Sequence, residues 1–226
     1  MKQLYLVANW KSNKTVSESL EWLHNFKLQV SDFVFHDQIV LILCVPFTVA
    51  AILQEELSKI VLPIHMGVQN VSSFSSGAYT GEVSAEMLTG ITEYVIIGHS
   101  ERRRYFNESD EDLFKKTEEA KNHGLLVIYC VENADQPIPE SVDLVLYEPQ
   151  TAIGSGKTED PTISNEMCKE ISIKHHDIPV LYGGSVTEET VQGIVSQENI
   201  SGVGVGGASL KPDQFMRLIK AFSSYV

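Results

Sequence analysis

Five places in the chain set a chemically competent residue directly after a short apolar run. Leu4–Ala8 is followed by Asn9, Trp10 and Lys11; Val95-Ile96-Ile97-Gly98 by His99, Ser100 and Glu101; and Leu144–Tyr147 by Glu148 and Pro149. Two further runs end in glycine turns, Gly183-Gly184-Ser185 and Gly206-Gly207-Ala208-Ser209. A lysine, an imidazole and a carboxylate can move protons and steady a developing negative charge. Glycine turns let backbone N–H groups approach a phosphate, and a helix starting there adds a favourable dipole. Taken singly, each has a plainer reading as a structural histidine, a solvated charge or an ordinary turn. Brought to one place, they read as a site for proton transfer on a small phosphorylated substrate.

The elements that must bring them together are legible as pattern. Leu4–Ala8, Ile39–Cys44, Ile64–Gln69, Tyr94–Gly98, Leu125–Cys130, Leu144–Tyr147, Val180–Gly183 and Val203–Gly206 are strand-length. Most are apolar at successive positions, which suits parallel strands buried on both faces. Helical patterns lie between most of them. Val16, Leu20, Leu23, Phe26 and Val30 follow a capping box of Thr15 and Glu18, and Ser109 with Asp112 opens a second helix the same way. Asp160-Pro161 and Lys211-Pro212 introduce two more. With no linker or shift of composition, this alternation predicts one closed (β/α)8 barrel over residues 1–226, all strand ends meeting on one face. A doubly wound sheet is the alternative that the pattern leaves open. The crossover from Val131 to Val142 carries Pro137 and Pro139 and no apolar period. It is near the minimum for joining parallel strands, so at most a helical turn is expected there. The barrel flank it leaves exposed is a candidate subunit contact.

Bulk properties narrow the function classes. The 226 residues are 43% hydrophobic and carry a net charge of −13. Apart from Arg102-Arg103-Arg104 the cations are scattered, so there is no basic footprint for nucleic acid. An anionic ligand would have to be held locally, by amides and one or two cations. Cys44, Cys130 and Cys168 are widely spaced and form no CxxC pair, which argues against a disulfide framework or a structural zinc site. No run is long enough for a signal peptide or a membrane span, and a cytoplasmic location is expected. Three motif-like stretches fail at a required residue. Thr151 stands where a P-loop before Gly156-Lys157-Thr158 needs glycine, Arg102 where a nucleophile elbow needs one, and no ribose-binding acid can follow Gly204-Val205-Gly206-Gly207.

The motifs Ala8-Asn9-Trp10-Lys11, Val68-Gln69-Asn70-Val71, Gly77-Ala78-Tyr79-Thr80-Gly81-Glu82, Gly98 to Arg103, Tyr147-Glu148-Pro149, Ala152 to Lys157, Tyr182 to Ser185 and Gly206 to Leu210 resemble, in this order, the triosephosphate isomerase family. The resemblance runs nearly end to end and implies a TIM barrel that interconverts dihydroxyacetone phosphate and glyceraldehyde 3-phosphate through an enediolate. It implies Glu148 as the base and His99 as a neutral electrophile, the tuning for which this family is the familiar example. Ser100 is expected to cap a short helix starting at Glu101, whose positive end disfavours imidazolium. By the same resemblance Lys11 supplies positive charge, Asn9 a polar contact and Glu101 a partner for the lysine. Phosphate would rest on amides of Gly154, Ser185, Gly206 and Gly207, with no metal or organic cofactor. The loop from Gln69 to Gly81 would reach a neighbouring subunit through Tyr79 and Thr80, giving a homodimer. The short crossover resembles archaeal-type members, some of which are homotetramers.

The chain departs from the family pattern at particular residues. Gln150-Thr151 stands where Val-Trp is usual after Pro149, from which a less tightly closing lid is expected. A glycine is missing after Cys130-Val131, and Asn107 replaces another common glycine. Two other readings are a catalytically weak phosphate-binding scaffold and a different phosphosugar isomerase or epimerase on the same fold. Asn9, Lys11, His99, Glu101 and Glu148 together argue against the first. The second typically builds its base and carbonyl contacts from other strand ends.

Overall fold

The apolar runs are apolar at every position because both faces of each strand are covered. The computed structural model describes residues 2–60, 62–149 and 158–225. Its strands are β1 (Leu4–Asn9), β2 (Ile39–Val45), β3 (Ile64–Val68), β4 (Tyr94–Ile97), β5 (Leu126–Val131), β6 (Leu144–Tyr147), β7 (Val180–Tyr182) and β8 (Gly202–Val205). All pair in parallel in chain order, and β1 pairs with β8 to close the barrel. The doubly wound alternative is thereby replaced by the barrel. One parity of side chains, including Val7, Ile42, Ile96, Ile128, Leu146 and Leu181, forms an enclosed cluster inside it. The other parity, including Leu6, Leu43, Val95, Tyr129, Val145 and Val203, packs outward in the cluster shared with the helices.

The helices begin where local chemistry satisfies their first amides. In α1 (Val16–Gln29) Thr15 and Glu18 form the expected capping box, and Ser109 with Asp112 does the same for α5 (Asp110–Asn122). Asp160 caps α6 (Pro161–Lys174) ahead of its N1 proline, and Pro212 opens α8 (Pro212–Ser223). With α2 (Phe47–Ser58), α3 (Ala85–Leu88), α4 (Ser100–Phe106) and α7 (Val191–Val195), every crossover but that from β5 to β6 carries a helix. Trp22 stacks on Phe26 at 4.9 Å and both reach Phe215, which packs α1 on α8 beside the β1–β8 seam.

No helix occupies residues 132–143, as expected from Pro137 and Pro139. Ala134, Ile138 and Val142 are buried and themselves cover this side of the barrel. Salt bridges from Lys121 to Asp143 and from Lys174 to Asp135 tie the segment to α5 and α6. Asn107 also has its explanation. It ends α4 at φ 53°, a left-handed conformation that asparagine tolerates better than other side chains. Asn107→Gly should therefore melt no lower than the wild type, whereas Asn107→Ala should lose about 1–2 kcal/mol, or roughly 2–8 °C. Equal melting temperatures for the alanine variant and the wild type would contradict this account of the α4 terminus.

Candidate active site

Strands β1, β4, β6, β7 and β8 deliver their C-terminal residues to a cavity of about 720 Å³. Asn9, Lys11, His99, Glu148, Ser185, Gly206 and Gly207 line it, as do Gly183 and Gly184. Glu101 stands behind Lys11. Gly154 and Thr151 lie outside the described residues.

The histidine is set by its own backbone turn. Gly98, at φ +77°, swings the chain out of β4 so that His99 becomes the N-cap of α4. Its Nδ1 accepts the Glu101 backbone N–H at 3.2 Å. A backbone amide can only donate, so Nδ1 carries no proton and the ring's proton sits on Nε2, the neutral tautomer. This corrects the expectation that Ser100 caps a helix starting at Glu101. The positive φ at Gly98 places the imidazole, rather than the serine hydroxyl, over the first turn, and the helix starts at Ser100. The Ser100 backbone N–H is then directed at Glu148 and donates to its Oε2 at 2.9 Å.

Glu148 is only 3% exposed, and its Oε1 lies 3.0 Å from His99 Nε2. Burial pushes its carboxyl above the ordinary glutamate value, outweighing the opposing pull of His99, the Ser100 amide and Lys11. Burial first, and the Glu148 charge second, also hold the Cys130 thiol protonated.

The lysine needs more scaffolding than its motif suggests. Lys11 sits at φ 53°, unusual for a long side chain, and three contacts keep it there. Its N–H donates to Asn9 Oδ1 at 2.9 Å, its carbonyl accepts from Gln69 Nε2 at 3.0 Å, and its Nζ reaches Glu101 Oε1 at 2.6 Å. Both partners of the ion pair are more than a third exposed, so the pair orients the ammonium more than it stabilises the fold. Asn9 thus positions Lys11 as well as lining the cavity. In the sequence Gln69 belongs to a family-like motif and starts the loop to Gly81, but nothing there marks it as a support for Lys11. Its position at the end of β3, where the other strands present chemistry, is the signal that could have found it.

At the glycine end, Lys11 Cε comes within 3.5 Å of the point where a Gly206 Cβ would sit. The 3-10 turn Gly207–Ser209 that follows is braced by Ser209 Oγ on Gly206 O at 2.6 Å and by Trp22 Nε1 on Ser209 O at 3.1 Å. After β7, the Tyr182 hydroxyl occupies the place of a Gly184 Cβ, so no other residue fits without moving that ring. The cavity therefore holds a buried carboxylate against a neutral imidazole, with one ammonium and two glycine turns alongside. Among the described residues, no three His, Cys, Asp or Glu side chains are grouped so as to hold a metal ion.

The sign of the Glu148 shift has a measurable consequence. A carboxyl raised on folding binds its proton more tightly in the native state, so its contribution to stability is present at low pH and lost as pH rises through the folded value. A carboxyl ¹³C titration, assigned by difference from Glu148→Gln, should place Glu148 above the roughly 4.3 of an exposed glutamate. A value at or below that figure would contradict the burial argument.

The family model described as triosephosphate isomerase matches residues 4–222. A triosephosphate isomerase of Mesomycoplasma hyorhinis is 36% identical over 242 aligned positions, covering 97% of this chain and 98% of the relative. One from Nostoc sp. is 37% identical with 97% and 99% covered, and one from Synechococcus sp. is 37% identical with 97% and 95% covered. These alignments are longer than the 226 residues of the chain, so the relatives carry residues that it lacks.

Proposed function

This chain belongs to the triosephosphate isomerase family, and on that premise we propose that it interconverts dihydroxyacetone phosphate and glyceraldehyde 3-phosphate by proton transfer through an enediolate. The observation that supports this most directly is the Glu148–His99 pair, 3.0 Å apart at one cavity with Lys11 and the glycine turns.

Glu148 is the base. Its carboxylate takes a proton from the carbon next to the substrate carbonyl and returns it to the neighbouring carbon. A raised carboxyl suits both halves of that exchange, since a weakly basic carboxylate would take the proton poorly. His99 is the electrophile. The Nε2–H that donates to Glu148 Oε1 is the donor that the substrate's carbonyl oxygen would take over, releasing the carboxylate to face carbon. A neutral imidazole can pass its proton to the enediolate oxygens, with the Glu101 amide holding Nδ1 in the correct form. Lys11 adds positive charge to the phosphate and the enediolate, Asn9 and Glu101 fix its place, and amides at Ser185, Gly206 and Gly207 receive the phosphate. The joint placement of these groups supports an enzyme over a phosphate-binding scaffold. Triose phosphates are intermediates of glycolysis and gluconeogenesis, so a cytoplasmic location fits this substrate. No helix among the described residues is long and apolar enough to cross a membrane.

The working assembly is a homodimer, or a homotetramer built from it. Phe74 and Tyr79 stack at 4.3 Å on the loop between β3 and α3, yet are 46% and 44% exposed. The base of that loop is tied down by Lys116 Nζ on Asn70 Oδ1 at 2.7 Å. An anchored loop with an uncovered aromatic tip is suited to insertion into a neighbour.

Two measurements test this reading. In a coupled assay with glyceraldehyde 3-phosphate, Glu148→Gln should lower kcat by about 10² to 10⁴-fold and His99→Gln by about 10² to 10³-fold. Near wild-type turnover in Glu148→Gln would end the assignment of the base. Light scattering at micromolar concentration should give at least the mass of a dimer, with Tyr79→Lys shifting it toward monomer and lowering kcat. A monomeric, fully active wild type would contradict the assembly.

A further inference from the structure

Tyr147 and Tyr182 occupy matching places, one immediately before the base and the other immediately before the Gly183-Gly184 turn. Both side chains are buried, their rings meet edge to face at 6.4 Å, and each phenol hydroxyl requires a partner. Both find it on Glu159. Tyr147 Oη donates to Glu159 Oε2 at 3.3 Å, and the Glu159 backbone N–H donates to Tyr182 Oη at 2.9 Å. Ser164 Oγ, in the first turn of α6, donates to the same Glu159 oxygen at 2.8 Å. Burial raises both phenols above their usual range, so each stays a neutral hydrogen-bonding group.

Glu159 does not line the cavity, and in the sequence it is one more acid ahead of the Asp160-Pro161 cap. Its position nonetheless joins the two strand ends that matter most. β6 is only four residues long, and it ends at Tyr147. Beyond it, the Glu148 backbone is held by its own N–H on Val131 O at 2.7 Å. The Tyr182 ring fills the space that keeps residue 184 a glycine. A proton-transfer base misplaced by a fraction of an ångström loses rate, so the support behind such a residue bears on catalysis.

We propose that Glu159 is a positioning residue for the isomerisation. Its carboxylate anchors Tyr147, and so the depth at which β6 presents Glu148. The inference rests on reading Glu148 as the base. Glu159 touches no reacting atom and acts through Tyr147.

The test compares kcat, KM and melting temperature for the wild type, Glu159→Ala, Glu159→Gln, Tyr147→Phe and the Glu159→Ala/Tyr147→Phe double variant. Loss of one net hydrogen bond predicts that Glu159→Ala lowers kcat by about threefold to tenfold. KM should stay within about twofold, because the phosphate contacts are intact. Glu159→Gln, whose carbonyl oxygen can accept from both Tyr147 and Ser164, should restore kcat. Tyr147→Phe should lower kcat by a similar factor, and the double variant should fall no further, because both singles remove the same bond. An active wild type with unchanged kcat in folded Glu159→Ala, or losses that multiply in the double variant, overturns the role of Glu159. An inactive wild type overturns the isomerase reading and this inference with it. Should Glu159→Ala fail to fold, Tyr147→Phe decides: lowered kcat at unchanged melting temperature supports the proposal, and unchanged kcat overturns it.

Discussion

Glu148 and His99 meet at 3.0 Å with both side chains buried, and most of the polar end of the barrel is arranged around that contact. A buried carboxylate is costly unless donors face it, and an imidazole beside it would ordinarily be drawn toward the charged form. Two consecutive amides at the start of α4 address both requirements. Ser100 N–H supports the carboxylate, and Glu101 N–H occupies His99 Nδ1, so the ring reaches Glu148 as a neutral donor. One helix start thus sets the condition of both residues. It can do so because Gly98, at φ +77°, turns the chain within a single residue.

The second constraint is charge balance in an acidic protein. With a net charge of −13, the molecule offers a phosphate no long-range attraction, so the attraction has to be built at short range. In the proposed reaction Lys11 supplies it, at the cost of a left-handed backbone held by Asn9 and Gln69 and an ammonium held by Glu101. Its stem lies against Gly206, which brings the cation beside the glycine turns. The Glu148–His99 pair and the glycine turns are therefore carried by different strands and joined through β1.

Much of this was legible in the sequence, for physical reasons. Parallel strands buried on both faces leave an unbroken apolar signature, which is why the runs from Leu4 to Val205 matched their strands closely. Polar residues directly after such runs pointed to the site. Less legible were features that depend on where a backbone amide points. Ser100 is the better cap by residue type, yet the turn at Gly98 gave that place to His99. Gln69 and Glu159 act on residues far from them in sequence, through contacts that only the closed barrel creates. The short crossover was readable from Pro137 and Pro139, but not that Ala134, Ile138 and Val142 would cover the barrel themselves.

The claim that joins fold to chemistry is the protonation form of His99, and ¹⁵N NMR of its ring at neutral pH measures that form directly. The account predicts a single neutral tautomer, with the proton on Nε2 and an unprotonated Nδ1 accepting from the Glu101 amide. A proton on Nδ1, alone or together with one on Nε2, would contradict it.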